Sequence, residues 1–555
     1  MIPLTINRRT VLAGIGLLLA GMMPAAALDM QDYHLPVPLL PGATAPPQPP
    51  AHGMVVAQEK IAARIGQGVL ALGGNAVDAA VATALALGVV EPWMSGIGGS
   101  GLLIFGKAAT GEVKVVDFTL ISAAETDPER YPLTGGTSTE LFGWPLVEGN
   151  RNLRGFESIC VPGSVAGLAL ALERFGTKSF AEAIEPAARL AEQGLPVDWY
   201  TTLNISLAAA DLRDFPGSRA VYLPNELPPV PPVSERVRYL PLPALARTYR
   251  RLQKAGPRDF YEGEIARDIA ADLRAGGSAI SARDLAAYRA SVVEPQRLDY
   301  RGVTVNAAPL LTGGTTLLRA LAALAKRIPD KPIAFPGAAD YIAFAETLRE
   351  AFADRLRTLG HAMPGLTNTT HLSAVDSAGN MVALTNTLLS RFGSKVVLPE
   401  TGIPMNNGML WFDPTPGRPN SIAPAKKPLA NMCPAVLTRD GRPWVALGAC
   451  GGRRIIPAVA QIISFLVDFR MPLQEAFMTP RIDASEATVG CDARLDPEIL
   501  AALRAALPIE TVENSVYPSP FAMPSGVSRE FAIDLNTGAT FAPSPAAAVV
   551  VEPER

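Results

Sequence analysis

The 555-residue sequence predicts an α+β protein in which strands stack between outer helical layers, a four-layer αββα sandwich. Two observations predict it: a middle third built of helices that stop at glycines, and a segment after residue 370 built of hairpins followed by one long apolar helix.

Small apolar residues dominate from Val55 to Val90, with Gly73-Gly74-Asn75 as a break and Ala76 to Leu87 as a tightly packed helix. The following Gly96-Ile97-Gly98-Gly99-Ser100-Gly101 fits GxGxxG, but it leaves a helix and enters the strand-like Leu102 to Phe105. A dinucleotide fingerprint runs from strand to helix, so a structural or substrate-side glycine loop is the better reading. Helices are expected over Phe180 to Gln193, Pro243 to Ala255 and Glu264 to Ala275, each halted by glycine, and from the cap Ser281 to Tyr288. Leu372 to Val375 and Met381 to Leu388 flank Asp376-Ser377-Ala378-Gly379-Asn380, a hairpin turn. Ala435 to Thr438 and Trp444 to Leu447 flank Arg439-Asp440-Gly441, and Ile456 to Phe469 reads as a buried helix.

Hydrophobic residues make up 48% and charged residues 18%, the balance of a packed protein. A net charge of -3 without a long basic run gives no general attraction for phosphate backbones, so nucleic acid is not an expected partner. Four histidines and four cysteines lack CxxC, HxH or HExxH spacing, which argues against zinc and redox motifs; the cysteines are expected as buried free thiols. Residues 1–27 read as a signal peptide: Arg8-Arg9, an apolar run from Val11 to Met23 shorter than the ~20 residues of a spanning helix, and Ala25-Ala26-Ala27 as a cleavage site. The arginine pair also suits twin-arginine export, and the expected destination is the periplasm, with a retained membrane anchor as the alternative. Residues 28–52, rich in proline, read as a linker.

A serine triad needs a histidine base, and no GxSxG elbow with a suitable downstream histidine occurs. A threonine at a chain start solves the same problem, because its own α-amine, with a reference pKa of about 7.7 to 8.0, accepts the hydroxyl proton. Asn368-Thr369-Thr370-His371-Leu372-Ser373-Ala374-Val375-Asp376 supplies the candidate. This stretch resembles the opening of the small subunit in the γ-glutamyltransferase family. The resemblance extends in order through Gly73-Gly74-Asn75-Ala76-Val77-Asp78-Ala79-Ala80, Ser95 to Gly99, Val161 to Gly167, Asn406-Asn407, Lys426 to Leu429 and Gly451-Gly452.

That resemblance implies an N-terminal-nucleophile hydrolase fold without a cofactor, acting on a small-molecule amide with water or an amine as acceptor. It implies a cut between Asn368 and Thr369 that yields a large subunit, 53–368, and a small subunit, 369–555. Thr369 would be the nucleophile, Thr387 its hydrogen-bond partner, and the Gly451 and Gly452 amides the oxyanion donors. The specificity pocket departs from the family. Thr119 stands where an arginine holds the glutamyl carboxylate, and Trp411, after Asn407, stands where a carboxylate holds the amine. Ala430-Asn431 replaces a serine pair, and Leu389 replaces an asparagine. Arg391, Lys395 and Arg453 are new cations near the pocket, Arg453 directly beside Gly452. Glutathione-type substrates are the family default; an acylase with a different acyl group, and a binding protein without turnover, are the alternatives. Only 13 residues separate Arg355 from Thr369, shorter than the family's usual segment.

Overall fold

The computed structural model describes residues 53–137, 144–233, 237–329, 335–359, 369–517, 519–532, 534–541 and 544–551. The expected signal peptide, the linker and Asn368 lie outside the described residues.

Two antiparallel sheets organise the chain. The seven-stranded sheet runs Ala548–Val551, Met54–Ala57, Thr370–Val375, Met381–Thr387, Ser100–Gly106, Val113–Phe118 and Ser291–Val293. The six-stranded sheet runs Leu535–Thr540, Met523–Glu530, Arg442–Cys450, Ala435–Arg439, Val303–Ala307 and Gln296–Tyr300. Residues on both sides of position 369 contribute strands to each sheet, so the two segments cannot separate without breaking both.

Period-two alternation sorts the side chains by layer. Met54, Val56, Leu102, Ile104, Met381 and Ala383 of one sheet meet Val436, Ala446 and Val527 of the other in a buried core. The opposite face of the six-stranded sheet, with Val303, Val305, Leu437, Val445 and Leu447, packs on helices Gly313–Leu324, Ala338–Leu359 and Ile455–Val467. The far face of the seven-stranded sheet is covered by Lys60–Ala71, Ala76–Val90 and Ser164–Phe175. Ala76–Val90 is buried at every position, which its run of alanine and valine permits without any polar stripe.

Local signals explain the elements that carry the site. Asn75 and Asp78 form a capping box at the start of Ala76–Val90. Asp376, in the hairpin after Thr370–Val375, accepts the Asn380 amide at 2.9 Å and the Ala76 amide at 3.1 Å. One carboxylate thus closes the turn and ties it to the neighbouring helix. The second hairpin turns on Asp440 and Gly441, both at positive φ, the pattern of a two-residue turn. The 96–101 loop leaves the helix and enters a strand, and its glycines are steric. A Cβ at Gly98 would lie 2.2 Å from the Pro404 carbonyl, and one at Gly99 would lie 2.3 Å from the Thr387 carbonyl.

His371 faces the other sheet at Gly448, where a Cβ would come within 2.4 Å of the imidazole. Gly448→Ala should therefore overpack the contact between the sheets and destabilise the protein by about 1–3 kcal/mol. Gly490→Ala, whose Cβ would meet nothing closer than 3.6 Å, should change stability by less than about 0.5 kcal/mol. Denaturant midpoints of the two variants check this ordering.

Candidate active site

Thr370–Val375 is paired on both edges, with Met54–Ala57 and with Met381–Thr387, in a register that sets Thr370 opposite Asn386 and His371 opposite Thr385. Thr369 precedes this strand, is almost fully buried, and holds its hydroxyl 3.4 Å from that of Thr387. The Thr387 hydroxyl accepts the Leu389 amide at 2.8 Å. Leu389 reaches that position at φ 86, and Phe392, Gly393 and Lys395 in the same loop also take positive φ. The strain is held by neighbours: Asn407 Oδ1 accepts the Ser390 amide at 3.1 Å, and Asn407 Nδ2 donates to the Ser390 hydroxyl and the Leu153 carbonyl.

On the facing sheet, Arg442–Cys450 ends at Gly451 and Gly452, with φ 131 and 64, and the chain then enters Ile455–Val467. Only glycine takes both angles without strain, and a Cβ on Gly451 would lie 2.8 Å from Ala522 Cα. Thr369 and Gly451 line one cavity of about 210 Å³, whose wall includes Met94, Tyr200, Arg391, Lys395, Arg454 and Tyr517.

The cations on this wall are anchored. Arg391 donates to Asn204 at 3.1 Å and lies over the Tyr517 ring, Lys395 donates to Ser390 at 3.1 Å, and Arg454 donates to the Ser519 carbonyl at 2.7 Å. Asp211, also on the wall, pairs with Arg154 at 2.9 Å.

The remaining sequence candidates sit elsewhere. Arg453 is not on the cavity wall: it is buried, donates to the Ser485 carbonyl and lies over Phe352. Its successor Arg454 faces the cavity instead, because the short turn after the glycine pair points consecutive side chains in different directions. Trp411 belongs to the core between the sheets, and its carbonyl accepts Asn420. Thr119 donates to Asp117 at 2.6 Å and its carbonyl accepts Tyr288, so its polar atoms are used internally. The Ala430 carbonyl and Asn431 Oδ1 both accept from Arg355, a fully buried cation whose pKa burial lowers to about 10. Gly452 is buried behind Gly451.

Two buried carboxyls lie behind the Thr370–Val375 strand. Glu91 accepts the Thr370 hydroxyl and its pKa is raised to about 8, chiefly by burial; Glu59 is raised to about 7 for the same reason. All four cysteines are free and buried.

The family pattern described as gamma-glutamyltranspeptidase matches residues 62–364 and 361–516. The chain belongs to the gamma-glutamyltranspeptidase family. It is 34% identical over 486 residues to the acylase ACY 1 proenzyme of Pseudomonas sp. strain SE83, covering 81% of this chain and 86% of that protein. It is 32% identical over 480 residues to the glutathione hydrolase proenzyme of Pseudomonas sp. strain A14, covering 78% and 81%. In fold it is similar to a cephalosporin acylase from Bacillus halodurans, with TM-score 0.78 at 24% identity over 95% of this chain and 99% of that one. The protein is thus an amidohydrolase or acyltransferase of the N-terminal-nucleophile class with a mixed α and β fold.

His371 is fully buried, and burial lowers its pKa from 6.5 to about 3. The unfolded chain binds a proton at His371 between those values and the folded chain does not, so this contribution to stability is full above about pH 6.5 and is lost as pH falls toward about 3. His371→Gln should flatten the loss of stability on acidification across that window. Unfolding temperatures measured from pH 7 down to about 4 check it; an unchanged slope would show that other groups set the acid sensitivity.

Proposed function

We propose that the chain is a four-layer αββα hydrolase that cuts itself between Asn368 and Thr369 and then works as a complex of residues 53–368 and 369–555, using Thr369 as nucleophile. The observation that carries this reading is that Thr369, its hydroxyl beside that of Thr387, shares one cavity with the Gly451 turn.

In maturation the Thr369 hydroxyl oxygen attacks the Asn368 carbonyl carbon, the peptide nitrogen leaves as the Thr369 amine, and water hydrolyses the resulting ester. In turnover the amine takes the hydroxyl proton while the oxygen attacks the substrate amide. The tetrahedral oxyanion is stabilised from the Gly451–Gly452 turn, and the protonated amine supplies the proton that the leaving nitrogen needs. Water, or an amine in transfer, then accepts the acyl group from Thr369. Thr387 orients the nucleophile and is itself fixed by the Leu389 amide. Proenzyme names among the relatives support a processed precursor. Export to the periplasm remains the reading of the N-terminal segment; no helix among the described residues is long and apolar enough to cross a membrane.

The substrate is proposed to be an amide whose acyl part is not a γ-glutamyl group. Thr119 and Trp411 have no charge for the glutamyl zwitterion; the Thr119 hydroxyl is held by Asp117, and Trp411 is buried in the core between the sheets. Arg391, Lys395 and Arg454 give the cavity a positive wall beside Tyr200 and Tyr517, suited to an acyl group that is aromatic or carries one acid. The acylase relative favours this over the glutathione-type default.

Thr369→Ala should remain one chain on a denaturing gel, whereas the unmodified protein should give two, the smaller beginning Thr-Thr-His-Leu. An uncut protein with full activity would sink the mechanism. With charge-assisted bonds worth about 1.5–3 kcal/mol each, the two absent anchors should lower kcat/KM for γ-glutamyl anilide by a few orders of magnitude relative to the best anilide in a panel with matched leaving groups. Equal rates across the panel would show that other residues hold the glutamyl head.

A further inference from the structure

Glu91 occupies a position that its packing does not explain. It caps the C-terminal end of Ala76–Val90, where the backbone carbonyls already present partial negative charge and disfavour a carboxylate. It is 2% exposed. A leucine or glutamine would fill such a place at less cost. Its Oε2 accepts the hydroxyl of Thr370, the residue that directly follows the nucleophile, and the Glu91 carbonyl accepts the Met94 amide at 3.0 Å at the start of the segment that reaches the cavity wall.

The groups that face Glu91 are of one kind. Glu59 approaches from the start of Lys60–Ala71, Tyr200 from Trp199–Arg213, Cys450 from the end of Arg442–Cys450, and Thr370 from the nucleophile strand. Glu59 in turn has Lys60 and Asp198 beside it and accepts the Ile61 and Ala62 amides. None of the four groups that face Glu91 is a cation. Among the described residues no cation offsets the buried Glu91 in the uncut chain, where the Thr369 nitrogen is a peptide nitrogen.

We propose that Glu91 is a positioning residue for the nucleophile: through Thr370 it fixes the first residues of the strand, and it supplies the counter-charge for the ammonium that forms on Thr369. The proposal rests on self-cleavage before Thr369, which creates that amine one residue from the Thr370–Glu91 contact. Glu91 transfers no proton in the step. The proton moves from the Thr369 hydroxyl to the Thr369 amine, and the carboxylate stabilises the cation that results. Before the cut, burial keeps Glu91 largely protonated, with its pKa near 8; after it, ammonium and carboxylate favour each other's charged forms, so the pair titrates together.

A nearby carboxylate raises the pKa of the amine, and removing it makes the amine a weaker base. In the processed enzyme, Glu91→Gln keeps a side-chain oxygen for Thr370 but removes the charge. It should still yield a fragment beginning at Thr369. The acidic limb of its kcat/KM profile, measured with the best anilide of the panel, should move to lower pH by about one unit, and kcat at the plateau should fall about tenfold. Competitive labelling of the N-terminal amine across the same pH range should show the same shift without relying on turnover. Thr370→Val, which removes the donor to Glu91 and keeps the carboxyl, should move the limb the same way by less, and it decides the matter if Glu91→Gln does not fold. A processed variant whose limb and labelling midpoint stay within about 0.2 pH unit of the parent, or move upward, overturns the role of Glu91. An unmodified protein that is never cut overturns the N-terminal nucleophile itself, and this role with it.

Discussion

The proposed nucleophile, Thr369, depends on the double pairing of the Thr370–Val375 strand that follows it. Strands lie along both edges, Ala76–Val90 covers one face and the second sheet covers the other. Every residue from Thr370 to Val375 is buried. The first residues of the strand are then fixed from both faces, by Thr387 at the Thr369 hydroxyl and by Glu91 at the Thr370 hydroxyl. Gly448 exists in its form because His371 occupies the space a side chain would need.

The loop from Leu388 to Lys395 shows how the same sheet also shapes the pocket. Its backbone leaves the end of Met381–Thr387 through several left-handed conformations, and Asn407 and Lys395 hold them with hydrogen bonds to Ser390 and its neighbours. The proposed nucleophile and the cavity beside it therefore share one support. This lets the specificity wall change while the hydroxyl pair and the glycine turn stay in place, in keeping with relatives named as an acylase and as a glutathione hydrolase.

Much of this was legible in the sequence. Glycine stops and serine caps fix helix ends because the terminal residue itself supplies the geometry, so Phe180–Gln193, Pro243–Ala255 and Glu264–Ala275 are read to the residue. Both hairpins are announced by their turns. The 22-residue helix Ala338–Leu359 and the small sheet of Ile482–Asp483, Val489–Asp492 and Ile509–Val512 are not, because their burial depends on distant partners rather than on local pattern. At the site, Thr369, Thr387 and the glycine turn are legible through the family resemblance, whereas by spacing alone Thr387 reads as an ordinary strand residue. Side-chain direction is not: Arg453 and Arg454 are adjacent, and only the fold decides that the second faces the cavity. Glu91 was missed because a glutamate after an apolar helix reads as an ordinary solvated end, whereas here it is buried against a strand 279 positions away.

In the proposed mechanism acyl transfer passes through the Thr369 hydroxyl. Its most direct measurement is an acid quench during turnover of a slow amide or ester substrate, followed by mass mapping of the small fragment. An acyl group should appear on the peptide that begins at Thr369, located on the side-chain oxygen and released by mild base. An acyl group on another residue, or steady turnover with none accumulating on Thr369 under conditions where deacylation is rate-limiting, would contradict it.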